Sequence, residues 1–215
     1  QARPAYEEAV NHLRMALSVV DDLTTDPKWR EREVRLLVQL AQVYVAKEGY
    51  ASREASEVFA QAMEHIDDIQ DAELRVAIFY GIWIAPYIGN RLHHGLELAN
   101  DLVEMMDKET DPISRLISRR MRAATLISMG RSTEALIDLD ISYELYKTAK
   151  LEDFSSKFAQ DPGVQIWCYQ LLAYYASGQQ EKALEVCQKA TERAREINHA
   201  NTICYAGLHA ATLAI

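Results

Sequence analysis

In the stretch Leu171–Ala190, LLAYYASGQQEKALEVCQKA, Gly178 is followed five residues later by Ala183 and seven beyond that by Ala190. The same spacing recurs at Gly130 and Ala135, with Ser142 seven further on. With one extra residue in the turn it reads again at Gly49, Ala55 and Ala62, and at Gly89 and Gly95. Ala9 and Ala16 continue the scheme without a preceding glycine, so the anchoring small residues fall at 9, 55, 95, 135 and 183, at intervals of 40 to 48 residues. An internal period of that size marks an array of helical repeats, in which each unit buries its apolar face only against its neighbours. Packing explains the small residues: where two helices cross closely, a Leu in place of Ala would overpack by about 1–3 kcal/mol.

Apolar residues recur with a period of about 3.6 along nearly the whole chain, and no alternating strand or Asn-Gly hairpin interrupts them. Asp26-Pro27, Asp111-Pro112 and Asp161-Pro162 each join a helix N-cap to a proline suited to the first helical position, and Asp71-Ala72 holds the equivalent place. These signals predict a lone helix at 4–23, then pairs at 27–47/51–67, 71–88/92–108, 112–129/131–149 and 162–177/179–196, and a final half-unit at 200–215. The expected fold is all-α, a right-handed α-solenoid of about four helical hairpins with a half-unit at each end. It is expected to run as one domain over 1–215, cut from a longer protein, with apolar ends that self-associate.

Composition narrows the function. A net charge of −9 lacks the basic face of a nucleic-acid binder and disfavours anionic membranes. The longest strongly apolar uncharged run, Val76–Gly89, contains Pro86 and is shorter than the ~20 residues a bilayer requires. Cys168, Cys187 and Cys204 form no CxxC pair and leave one over, which reads as reduced thiols of a cytoplasmic protein.

A search for catalytic signatures yields none. There is no phosphate-binding GxxxxGK[ST], no GxGxxG, HExxH or GxSxG, and no EF-hand loop. His93 and His94 are adjacent, so on a helix they point about 100° apart and read as turn residues rather than a metal pair. Cys168 and Cys187 read as small buried hydrophobes, and Glu185–Lys189 as an outward ion pair. Asp21-Asp22, Asp67-Asp68 and Asp71 read as caps and solvated turns. The run SRLISRRMR places Arg115, Arg119, Arg120 and Arg122 on one helix, first of all a solvated face. No catalytic, cofactor or metal residue is expected. A helical enzyme with a scattered site is the alternative that such a search cannot see.

Trp167, Tyr174, Gly178, Ala183 and Ala190 resemble the tetratricopeptide (TPR) pattern, in a unit longer than its usual 34 residues. A wider likeness rests on WREREVRLLVQLAQVYVAKEGYASREASEVFAQAMEH (29–65), GIWIAPYIGNRLHHGLELANDLVEM (81–105) and FAQDPGVQIWCYQLLAYYASGQQEKALEVCQKATERAREINHANTICYAGLHAATL (158–213). Together these resemble the C-terminal TPR-like region of large bacterial signalling proteins. In those, an adenylate/guanylate cyclase or a DNA-binding activator domain is joined to a STAND/AAA-type ATPase and then to helical repeats. The resemblance implies a non-catalytic regulatory module acting on a protein partner or on other domains of its own polypeptide, either a cyclase protein or a transcriptional activator; a stand-alone TPR scaffold is the further alternative. In TPR arrays the first helix of each pair lines the concave side. Matching units then places Arg35, Arg120, Gln165, Leu172 and Tyr175 towards a groove suited to an acidic or aromatic-containing segment.

Overall fold

The computed structural model describes residues 2–21, 27–149 and 160–214. Among them every regular element is helical: α1 (Ala2–Asp21), α2 (Pro27–Glu48), α3 (Arg53–Met63), α4 (Ala72–Ile88), α5 (Leu92–Met106), α6 (Pro112–Ser128), α7 (Ser132–Thr148), α8 (Pro162–Ala176), α9 (Gln180–Ile197) and α10 (Ala200–Ala211). Short 3-10 turns follow at Ile66–Asp68 and Thr212–Ala214. No helix among the described residues is long and apolar enough to cross a membrane.

The expected starts are set by the expected caps. Asp71 accepts from the backbone N–H of Glu73 and Leu74 at 2.9 and 3.2 Å, Asp111 from Ser114 at 2.8 Å, and Asp161 from Val164 at 2.9 Å. Pro112 and Pro162 open their helices behind these caps, where a missing N–H costs nothing. Asp22 and Asp26 lie outside the described residues. The predicted 51–67 helix is shorter than expected: Ser52, accepting from Ala55 N at 3.2 Å, starts α3 at Arg53, and the chain leaves the α-helix after Met63.

The turns correct one alignment. Gly130 and Gly178 adopt left-handed backbone (φ +76° and +75°), each closing a reversal in which the next residue's N–H reaches back to the helix, Arg131 to Leu126 O and Gln179 to Tyr174 O. In the α4–α5 turn Gly89 has φ −79°, and the left-handed residue is Asn90 (φ +57°), with Arg91 N–H bonded to Pro86 O. Asn90 to Gly95 is therefore the same five-residue step as Gly130 to Ala135, with no extra residue. Asn tolerates this conformation better than other non-Gly residues, so it can replace the glycine. Gly49 (φ +88°) does carry the additional residue before Ala55.

The chain divides into two compact units, 1–98 and 99–215, the boundary falling within α5. In the first, α2 packs between α1 and α3. Val34, Leu37, Val38 and Ala41 of α2 bury against Phe59 and Ala62 of α3 and Leu74 and Ile78 of α4, while Leu40 and Tyr44 meet Val10 of α1. In the second unit α6 pairs with α7 and α8 with α9, and α10 rests on both α8 and α9. Ala55, Gly95, Ala135 and Ala183 are all buried, as their repeat position requires, and so are Ala62, Ser142 and Ala190 seven residues on. Two helical glycines admit aromatic rings in the same way. A Cβ at Gly81 would stand 2.3 Å from the Phe59 ring, and one at Gly163 would stand 2.5 Å from the Tyr146 ring.

Candidate protein-interaction face

The arginine run of α6 sorts into two groups. Arg119 and Arg122 turn to α7, where Asp138 is only 2% exposed and Arg119 only 12%. Arg122 grips Asp138 with Nε and Nη2, both at 2.6 Å, while Arg119 reaches it at 3.1 Å and holds both oxygens of Asp107 at 2.6–2.7 Å. The bond to Asp138 raises the Arg122 pKa further. These two arginines are therefore a buried lock between α6 and α7 rather than a solvated face. The apolar period alone does not show this, because the pairing carboxylate lies 16 residues away from Arg122.

Arg120 points elsewhere. No carboxylate among the described residues lies within ion-pair distance of it, and its charge acts instead on the Tyr205 hydroxyl of α10. Tyr205 is hydrogen-bonded to Tyr169 of α8, and burial, followed by Tyr169, raises its pKa. The His209 ring lies 4.3 Å from the Tyr205 ring and 6.2 Å from that of Tyr169, with Nδ1 bonded to the Tyr205 carbonyl at 2.9 Å. Tyr205 of α10 thus links the first-type helices of the unit, bonding Tyr169 of α8 and feeling the charge of Arg120 of α6.

Of the residues expected to line a groove, Gln165, Leu172 and Tyr175 share the face of α8 that Tyr169 occupies, by helical geometry. Gln165 Nε2 donates to Gln160 at 2.8 Å, Leu172 is half-buried, and Tyr175 is 43% exposed. Arg35 belongs to the first unit, where its guanidinium holds Glu31 at 2.8 Å and the capping carboxylate of Asp71. Tyr169, Tyr205 and His209 were not singled out from sequence. The available signal was that Tyr169 stands four residues after Gln165 and three before Leu172, on one helical stripe.

The first unit holds a separate cleft of about 280 Å³ where α1 and α3 leave part of α2 uncovered. Leu17, Leu37, Leu40 and Val58 line it with Tyr44, whose hydroxyl accepts from Arg14 Nη2 at 2.8 Å. Among the described residues no group of three or more His, Cys, Asp or Glu side chains is placed to hold a metal ion. His93 and His94 are both exposed, Cys168 is buried with its thiol pKa pushed up to about 12 by desolvation, and Cys204 is exposed. The Glu185–Lys189 pair sits outward at 2.7 Å.

No protein-family model matches the chain, and no curated protein matches it. Among solved structures it is similar to the nearly identical TPR-like repeats of a kinesin light chain-like protein from Podosopora anserina, with a TM-score of 0.62 at 19% identity over 87% of this chain and 86% of that one. A point variant of those repeats gives a TM-score of 0.64 at 20% identity, over 91% of each chain. At such identity the likeness establishes the fold: TPR-like helical hairpins of the α-solenoid class.

Proposed function

We propose that this chain is a non-catalytic protein-interaction module, and that it forms one array over 1–215 within a larger bacterial cytoplasmic signalling protein. There it acts as the regulatory arm of a nucleotide-binding switch and, through that switch, of a cyclase effector. TPR-like hairpins serve widely as protein-binding scaffolds, and the segments quoted above supply the resemblance to the cyclase–ATPase proteins. The observation that carries the reading is Arg120: a half-buried cation with no acidic partner among the described residues, in a chain of net charge −9, whose charge acts on Tyr205. Fold stability does not require such a charge, whereas a partner's carboxylate would satisfy it. The proposed groove takes Arg120, Gln165, Leu172 and Tyr175, with Arg35 as its counterpart in the first unit.

The test mixes the chain in trans with the nucleotide-binding region of its own polypeptide. Capture of that region and a change in its nucleotide turnover are expected, both lost in Arg120→Glu. ATP hydrolysis or cyclic-nucleotide synthesis by the chain alone would overturn the reading.

A further inference from the structure

The cleft of the first unit is bounded on three sides by helices that pack on one another. Val10 of α1, Leu40 and Tyr44 of α2 and Ala55 of α3 form one buried cluster beside it, so it lies within the helical packing rather than on a terminal face. Leu37 and Leu40 give it an apolar floor, and Leu17 of α1 and Val58 of α3 extend that surface up either wall.

Its polar groups gather at one end. Tyr44 packs with Ala55, which brings the adjacent Glu54 to the end where Arg14 meets Tyr44. Leu17 and Leu37 lie one to two turns further along their helices. Tyr44 is 5% exposed, and its hydroxyl accepts from Arg14 Nη2 at 2.8 Å. No acceptor among the described residues lies within reach of the Tyr44 O–H itself, and a buried donor left unused is unfavourable. Arg14 has no carboxylate within ion-pair distance among the described residues, and Glu54 has no cation, whereas Glu57 is taken up by Arg53 at 2.7 Å. Arg14 and Glu54 therefore line one small cleft with opposite charges and do not neutralise each other.

We infer that this cleft binds a free α-amino acid with an aliphatic or aromatic side chain. The ligand carboxylate takes the Tyr44 O–H and the Arg14 guanidinium, its ammonium faces Glu54, and its side chain lies on Leu17, Leu37, Leu40 and Val58. The volume of about 280 Å³ equals that of roughly nine waters at ~30 Å³ each, a space that suits leucine or phenylalanine. One zwitterion thus satisfies a buried hydroxyl and two charges that the chain leaves unpaired. The site belongs wholly to the first unit and does not rest on Arg120; it gives a protein-binding module a small-molecule input.

Isothermal titration calorimetry of the whole chain with L-leucine and L-phenylalanine tests this. A single saturable site is expected for one or both. Glycine lacks the side chain, isocaproate the ammonium and leucinamide the carboxylate, and each is expected to bind at least ~10-fold more weakly than the better amino acid. Arg14→Gln and Tyr44→Phe, the latter keeping the ring, are each expected to weaken that amino acid about 10-fold with unchanged circular dichroism. Glu54→Gln is expected to weaken it to the level of isocaproate and to leave isocaproate binding unchanged. Arg14 and Glu54 are exposed, so their variants report on binding even where Tyr44→Phe disturbs the core. Failure of both amino acids to bind at ~10 mM, isocaproate or leucinamide binding as tightly as leucine, or affinity unaltered in both Arg14→Gln and Glu54→Gln would each overturn the proposal.

Discussion

Gly163→Ala sets two known effects against each other with opposite signs. Gly163 lies in the first turn of α8 with ordinary helical backbone, so on propensity alone alanine would stabilise by roughly 1 kcal/mol. Its Cβ, however, would stand 2.5 Å from Tyr146 Cε1 and 2.6 Å from Cζ, against a normal carbon–carbon contact of about 3.5–4.0 Å. The ring would have to retreat by about 1 Å. It is not free to do so, because its hydroxyl bonds both oxygens of Asp161 at 3.0 and 3.3 Å, and Asp161 is the cap of the same helix. Overpacking of about 1–3 kcal/mol together with a weakened hydrogen bond of about 1 kcal/mol outweighs the propensity gain, leaving a net loss of about 1–3 kcal/mol. At about 2–4 °C per kcal/mol for a chain of this size, the melting midpoint falls by about 2–12 °C. Gly207→Ala is the matched control, since its Cβ meets nothing within 4 Å. Measured at dilute concentration by circular dichroism, it raises the midpoint by a few degrees. Truncating the ring with Tyr146→Ala should turn Gly163→Ala from destabilising to stabilising. If both glycine variants raise the midpoint alike, close helix approach is not what places glycine at 163.

Asp138→Ala leaves Arg122 without its carboxylate between α6 and α7, while Arg119 keeps Asp107, and should destabilise by about 3 kcal/mol in urea unfolding; a loss under about 1 kcal/mol would mean the Arg122 pair is not buried. Asp71 gives a pH signature: burial pushes its pKa up, but Arg35 and the N–H groups of Leu74 and Glu73 outweigh that and hold it below the ordinary value. A depressed carboxylate stabilises above its unfolded pKa of about 3.9 and loses that contribution as pH falls through the folded value. Asp71→Asn keeps a capping side chain, so it should cost no more than about 1 kcal/mol at pH 7, and the difference from wild type should vanish in urea titrations at pH ~2. With its pKa pushed up to about 12 and its side chain buried, Cys168 should resist iodoacetamide at pH ~8 while Cys204 reacts, as read by peptide mass spectrometry.

Turn chemistry made most of the fold legible. Asp111-Pro112 and Asp161-Pro162 located helix starts because a cap and a fixed φ are local properties, and Gly130 and Gly178 located ends for the same reason. Reading Gly89 as the turn residue failed because Gly and Asn both satisfy a left-handed position, and only the backbone shows that Asn90 takes it. The α8 stripe of Gln165, Leu172 and Tyr175 was readable from helical spacing. Its neighbours Tyr205 and His209 were not, because they depend on α10 crossing α8. The division of labour within SRLISRRMR was hidden for a similar reason: Asp107 and Asp138, which select Arg119 and Arg122, are distant in sequence.

The central claim is that recognition belongs to the first-helix face. The direct measurement is calorimetric titration of the nucleotide-binding region proposed for the same polypeptide into wild type, Arg120→Glu, Tyr175→Ala and Arg195→Glu, the last an exposed position on the second-type helix α9. Affinity is expected to fall at least ~10-fold in the first two variants, as loss of a desolvated charge or aromatic anchor implies, and to stay within about 2-fold of wild type in Arg195→Glu. Binding that ignores Arg120 and Tyr175 but weakens in Arg195→Glu would contradict it.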